Sequence, residues 1–226
     1  MLLILLAPGA ILAIALHEAM HGYVAHRLGD PTAKLMGRLT LNPFKHIDLI
    51  GTILVPALLF YTSGLLFGWA KPVPVNIQNL NRPKRDMALV AAAGPGSNLA
   101  LAVIASLALY ALGPLTQLSI PISVLRTVLV PLILILFFMV KFNLMLMLFN
   151  LIPIPPLDGG RILIGILPLD LARAVARIEP FGFFILIGIL LIDNQVPILD
   201  YSLRPAMNLL EQILMPGYVE AIIRGV

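Results

Sequence analysis

The chain has 226 residues, 60% of them hydrophobic and 12% charged, with a mean hydropathy of +1.00. Soluble domains run near 45–50% apolar and about 25% charged, so this composition excludes an ordinary globular domain and indicates a polytopic membrane protein. The absence of cysteine excludes disulfides and cysteine-based metal or nucleophile chemistry, and the net charge of +4 gathers beside apolar segments, which fits anionic lipid headgroups better than nucleic acid.

The first apolar run, Leu2 to about Ala25, is long enough to cross a bilayer, since ~20 residues span the hydrocarbon. At its inner end stands His17-Glu18-Ala19-Met20-His21. On a helix, His17 and His21 project from one face on consecutive turns, so both imidazoles can reach one metal ion. Glu18 lies about 100° round the helix, placed to act as base toward a water instead of as a ligand. The pattern is H-E-x-x-H, a metalloprotease signature. Ionised groups inside such a run cost about 2.5–3.5 kcal/mol each on insertion scales, which argues for a functional site over structural polar residues. His26 falls half a turn away from His17 and is not a third ligand. Val24 and Arg27 stand where the soluble three-His zinc stretch has Gly and His. His26 and His46 read as interfacial polar residues.

Thr32 to His46 is a polar break whose core, Gly37-Arg38-Leu39-Thr40-Leu41-Asn42-Pro43, alternates apolar and polar residues and predicts a short strand. A second run of spanning length covers Ile47 to about Gly68. In Gly68-Trp69-Ala70-Lys71-Pro72-Val73-Pro74-Val75-Asn76 two prolines impose an extended chain. Such an edge can offer backbone groups to an extended peptide, with Trp69 beside it, or it can be a connecting loop with an interfacial Trp. Arg82, Lys84 and Arg85 mark the next boundary, and a third segment runs from about Asp86 to Leu112. It contains Ala91-Ala92-Ala93-Gly94-Pro95-Gly96-Ser97-Asn98, where small residues permit close helix approach. Asn98 at membrane depth needs a hydrogen-bond partner, for which a substrate backbone and the metal site are the candidates.

The fourth segment, about Val124 to Ile152, leads into Asn150-Leu151-Ile152-Pro153-Ile154-Pro155-Pro156-Leu157-Asp158-Gly159-Gly160-Arg161. The prolines break the helix, and a broken backbone at membrane depth is tolerated where it lines a cavity or is buried in protein. Asp158 lies in that break and is the natural third ligand; the competing reading is a cap on a following helix. A fifth span covers about Phe181 to Ile192, and Asp200 to Val226 forms an amphipathic tail, lying on the membrane surface or packed on the bundle. Basic residues flank the second segment on both sides, so the positive-inside rule gives conflicting orientations unless a loop dips into the membrane and returns. The expected fold is an all-α polytopic membrane protein of five, or six, transmembrane helices with short membrane-associated β or extended loops. It forms one membrane-embedded domain, 1–226, with the catalytic motifs in 1–161 and the last span and tail in 162–226.

Together with Gly94-Pro95-Gly96-Ser97-Asn98 and Gly68-Trp69, these two motifs resemble the site-2 protease family of intramembrane zinc metalloproteases, the M50 class, over the chain from the first helix to about Arg161. The resemblance implies that His17, His21 and Asp158 bind one Zn2+ per chain, that Glu18 is the general base, and that Asn150 positions substrate or steadies the oxyanion. Asn98 and Trp69 are the candidate substrate contacts. It further implies a short form without an inserted PDZ domain or appended CBS pair, and a site open to the cytosol, in a multi-pass protein of a prokaryotic cell membrane. The expected activity is hydrolysis of a peptide bond in or near a transmembrane segment of another membrane protein. Its partners are that substrate and the lipid bilayer, with no nucleic acid, and a homo-oligomer is left open. The alternative is a membrane zinc transporter, which should place further ligands on several helices, where here one His pair and one Asp stand out. A silent membrane adaptor would have no reason to keep Glu18 beside both ligands.

Overall fold

A computed structural model of the protein describes residues 2–64, 68–117, 121, 124–193 and 196–224, and among these there are helices, turns and loops but no sheet. The helices are α1 (Leu2–Arg27), α2 (Thr32–Leu35), α3 (Val55–Ser63), α4 (Pro83–Leu112), α5 (Val130–Asn150), α6 (Asp158–Ile166), α7 (Leu169–Ala176), α8 (Glu179–Asp193), α9 (Ile198–Leu214) and α10 (Gly217–Arg224). Wide π-type turns, Leu49–Leu54 and Leu125–Leu129, lead into α3 and α5.

Helix α4 is the central post, with α1, α5 and α6 packed against it. Its sequence explains why. Ala91, Gly94, Asn98, Ala102, Ala105 and Leu109 recur at helical spacing and are buried, whereas Leu99, Ile104, Leu107 and Tyr110 point outward. Small residues let neighbouring backbones come close, and close packing is what holds helices together where lipid is as apolar as the side chains. Leu109, Ile133, Val140, Leu144 and Val219 form the apolar core between α4, α5 and α10.

Among the described residues, two helical stretches are long and apolar enough to cross a membrane, Pro83–Thr116 and Thr127–Asn150. Helices α7 and α8, bent by 61° at their junction, pass the same test as a pair. The second expected span is different. Its helical run is Leu49–Thr62, short of the ~20 residues a crossing takes. The ends of the segment meet: the Trp69 N–H donates to Gly51 O at 3.0 Å, the Lys71 N–H to His46 O at 2.8 Å, and the Thr52 hydroxyl to Trp69 O at 3.0 Å. The two ends of the segment therefore lie side by side. Residues 65–67, within the expected span, lie outside the described residues.

The strand expected at Gly37–Pro43 is not formed. Gly37 adopts φ +63°, Arg38 and Thr40 make local backbone bonds, and the Asn42 side chain caps the turn Pro43–Lys45, so no partner strand is recruited. Alternation alone does not make a strand without a neighbour to pair with. His46, expected at the interface, is buried instead, its Nε2 2.8 Å from Thr40 O and its carbonyl accepting from the Lys71 N–H. The tail packs on the bundle: Val219 is buried, the Ser106 hydroxyl donates to Leu214 O, and the Tyr218 hydroxyl donates to Leu109 O.

Candidate active site

His17 and His21 lie four residues apart on α1, and Asp158 is the first residue of α6, delivered by the break after α5. No side chain caps α6, so Asp158 is not occupied as a helix cap. Residues 151–157 fold back so closely over the start of α6 that a Cβ on Gly159 would lie 2.2 Å from Leu151 O and one on Gly160 2.2 Å from Pro155 N. Only glycine fits there, and the two glycines let Asp158 reach α1.

The three side chains converge. His17 Nε2 and His21 Nε2 are 3.1 Å apart, and Asp158 places Oδ2 3.2 Å from His17 Nε2 and Oδ1 3.4 Å from His21 Nε2. The Nδ1 atoms face the other way. That of His21 is 2.7 Å from the carbonyl of Val90, and that of His17 is 2.6 Å from Asn98 Oδ1. Both partners are acceptors, so each Nδ1 carries the proton and each Nε2 presents a lone pair. Two lone pairs and a carboxylate facing one another at this range repel unless a cation lies among them. Ligand atoms 2.0–2.1 Å from a tetrahedral zinc stand about 3.3 Å apart, which matches the observed edges. Asp158 Oδ2 is also buried without a hydrogen-bond partner, as a ligand atom awaiting an ion would be. The donor set of two imidazoles and a carboxylate suits zinc. Among the described residues this is the one cluster of three or more His, Asp or Glu able to hold a metal.

Gly94 makes the approach of the two rings possible, since a Cβ there would lie 2.5 Å from His21 Cε1 and 2.6 Å from His17 Cε1. Asn98 is buried behind His17 with its amide engaged at both ends: Nδ2 donates to Asn143 Oδ1 at 3.0 Å, with Ala13 O at 3.4 Å, and Asn143 in turn donates to Met139 O. Asn143 is a site residue that sequence reasoning missed. The signal was the one that singled out Asn98, an amide in an apolar run. Glu18 accepts a hydrogen bond at 2.9 Å from the backbone N–H of Val73, in the extended Gly68–Asn76 stretch. Trp69 packs edge-on against Phe183 of α8, ring centroids 4.8 Å apart. Asn150 ends α5 and donates to Leu146 O one turn back, at the lip of the break that carries Asp158.

Comparison with known proteins agrees with this geometry. The family model described as Peptidase family M50 matches residues 5–192. The chain is 37% identical over 203 residues to "Putative zinc metalloprotease YwhC" of Bacillus subtilis, covering 88% of this chain and 83% of that protein. It is 29% identical over 188 residues to Rip2 proteins of Mycolicibacterium smegmatis and Mycobacterium tuberculosis, named in the same way, covering 83% of this chain and 67% of theirs. No solved structure matches it significantly. These matches are to peptidases and lend nothing to a transporter; with a site able to hold a metal through two His of one helix and an Asp of another, the chain belongs to peptidase family M50.

Proposed function

We propose that the protein is an intramembrane zinc metalloendopeptidase that hydrolyses a peptide bond in or near a transmembrane segment of another membrane protein. The observation that carries this is the His17–His21–Asp158 cluster inside an apolar bundle, with Glu18 next to it on α1. His17, His21 and Asp158 hold one Zn2+ per chain. When bound, the ion supplies Lewis acidity, acidifying water and stabilising negative charge on a carbonyl oxygen. Glu18 takes the proton of the attacking water and returns it to the leaving amine. Asn98 and Val90 fix the tautomer and orientation of the two imidazoles. Asn150, at the rim, positions the substrate or steadies its oxyanion. A substrate helix must unwind before its carbonyls can be attacked.

The distribution of basic residues supports the orientation. With α1 as a further span, the site-bearing ends of α1, α4 and α5 lie on one side of the membrane. That side carries Lys34, Lys45, Lys71, Arg82, Arg85 and Arg161, while the opposite side carries Arg126 between α4 and α5 and Arg204 and Arg224 in the tail. By the positive-inside rule the site opens to the cytosol of a prokaryotic cell. The chain is then one membrane-embedded domain with four crossings, α1, α4, α5 and the bent α7–α8 pair, plus one re-entrant segment.

The test is cleavage of a tagged single-span membrane protein in detergent by the purified wild type and by Glu18→Gln, each with its zinc content measured. Cleavage by the wild type alone, at equal zinc, is expected. Cleavage by both refutes Glu18 as the base. In Asp158→Ala the zinc content should fall, and full occupancy in that variant would sink the ligand assignment.

A further inference from the structure

Arg38 is buried, yet among the described residues no ion pair involves it, and its Nε has no hydrogen-bond partner. A buried charge without a counter-charge is costly and calls for a reason. Its Nη2 donates to Lys71 O at 2.8 Å and to Pro72 O at 3.3 Å. The next atom along the chain from the Pro72 carbonyl is the nitrogen of Val73, whose N–H donates to Glu18. One peptide unit therefore lies between a guanidinium and a carboxylate, its C=O toward the cation and its N–H toward the anion. A peptide dipole of ≈ 3.5 D in that orientation is stabilised by both charges, and hydrogen bonds in series polarise one another.

The sequence leaves little alternative to this arrangement. Pro72 and Pro74 have no N–H, so Val73 supplies the one backbone donor between Lys71 and Val75, and it points at Glu18. Arg38 is itself fixed, its N–H bonded to Ala33 O at the end of α2. Glu18 has three side-chain torsions and would sample several rotamers if unheld.

We propose that Arg38 is a positioning residue for Glu18, acting through the Pro72–Val73 peptide to hold the carboxylate in one orientation. This rests on the reading of Glu18 as the general base. Small misplacements of a catalytic group cost rate without costing substrate affinity, by as much as ~10²-fold.

The experiment uses the zinc-loaded full chain and a tagged single-span substrate that the wild type cleaves. Arg38→Gln should lower kcat by roughly 10²-fold, with KM and zinc content held. Introduced into Glu18→Gln, it should change the residual rate by less than about 2-fold, because the group it positions is gone. The infrared carboxylate band of Glu18, identified by difference against Glu18→Gln, should shift in Arg38→Gln; a general structural role would not move it. Wild-type kcat in Arg38→Gln beside an inactive Glu18→Gln would overturn this inference while leaving the base assignment intact. A further, multiplicative loss in the double variant would also overturn it. An active Glu18→Gln would remove the base reading and the inference with it. Should Arg38→Gln fail to fold or to load zinc, Val73→Pro deletes the donor from a stretch already extended by prolines, and wild-type kcat there would refute the proposal.

Discussion

Asn98 Oδ1 lies 2.6 Å from His17 Nδ1, and Asn143 Oδ1, 3.0 Å from Asn98 Nδ2, fixes which end of that amide faces the histidine. The imidazole is thereby locked with Nε2 bare. Partners that orient metal ligands are worth 10–100-fold in metal affinity, so Asn98→Ala should weaken zinc binding by about that factor in a chelator competition. Asn98→Asp restores the acceptor and should recover part of the loss. Equal weakening by both variants would show that shape, and not the accepted proton, matters at this position.

Gly94 is where α4 passes beneath the two imidazoles. A methyl group there would sit about 2.5 Å from His21, and neither ring can retreat without breaking its Nδ1 bond. Gly94→Ala is expected to lose zinc and activity together. Gly96→Ala is the control, because a Cβ at Gly96 meets nothing within 4 Å, and it should leave zinc unchanged while stabilising the helix by roughly 0.5–1 kcal/mol. Loss of zinc in both variants would point to a general sensitivity of α4 and not to this contact.

How much of this was legible in the sequence divides by distance along the chain. His17, Glu18 and His21 are set by spacing within one helix, and Asp158 by the proline and glycine break around it, so local rules reach both. The bond between Glu18 and Val73 joins residues 55 apart, and nothing local foretells it. The return of the chain at Trp69 to Gly51 likewise depends on a long-range backbone bond, which the apolar run alone does not reveal. Gly37–Pro43 carried a strand pattern, but pairing is a property of two segments, and the second did not arrive. Asn143 was within reach, since an amide in an apolar helix always needs a partner.

Asp30, just past α1, is a buried carboxylate that ties three segments together. It accepts from the Thr32 N–H and hydroxyl, from Asn79 Nδ2 and from the Asn76 N–H, so α1 is joined to the turn that leads into α4. Burial alone raises its pKa, but the hydrogen bonds from Thr32, Asn79 and Asn76 outweigh it and hold the carboxyl below its ordinary value. A depressed folded-state pKa means that its stabilisation is complete above the unfolded value near 3.9 and is lost as pH falls through the folded value. Asp30→Asn should cost about 1–3 kcal/mol at neutral pH, with the difference from wild type shrinking below about pH 4. Thermal melts of both proteins in detergent across pH 2–7 test this. A gap that stays constant over the whole range would show that the carboxylate charge contributes nothing.

The re-entrant path makes a prediction that the chain is well suited to test, because it contains no cysteine of its own. Lys45 and Lys71 are exposed and flank the segment, and the bonds from Trp69 to Gly51 and from Lys71 to His46 bring those flanks together. Single cysteines at Lys45 and Lys71 should therefore react with an impermeant maleimide from the same side of sealed vesicles. A cysteine at exposed Pro121, between α4 and α5, should react from the opposite side. A full crossing at Leu49–Thr62 would instead put Lys45 and Lys71 on opposite sides. That outcome would separate the Gly68–Asn76 stretch from Glu18 by the thickness of the bilayer and so overturn the 2.9 Å contact between Val73 and Glu18.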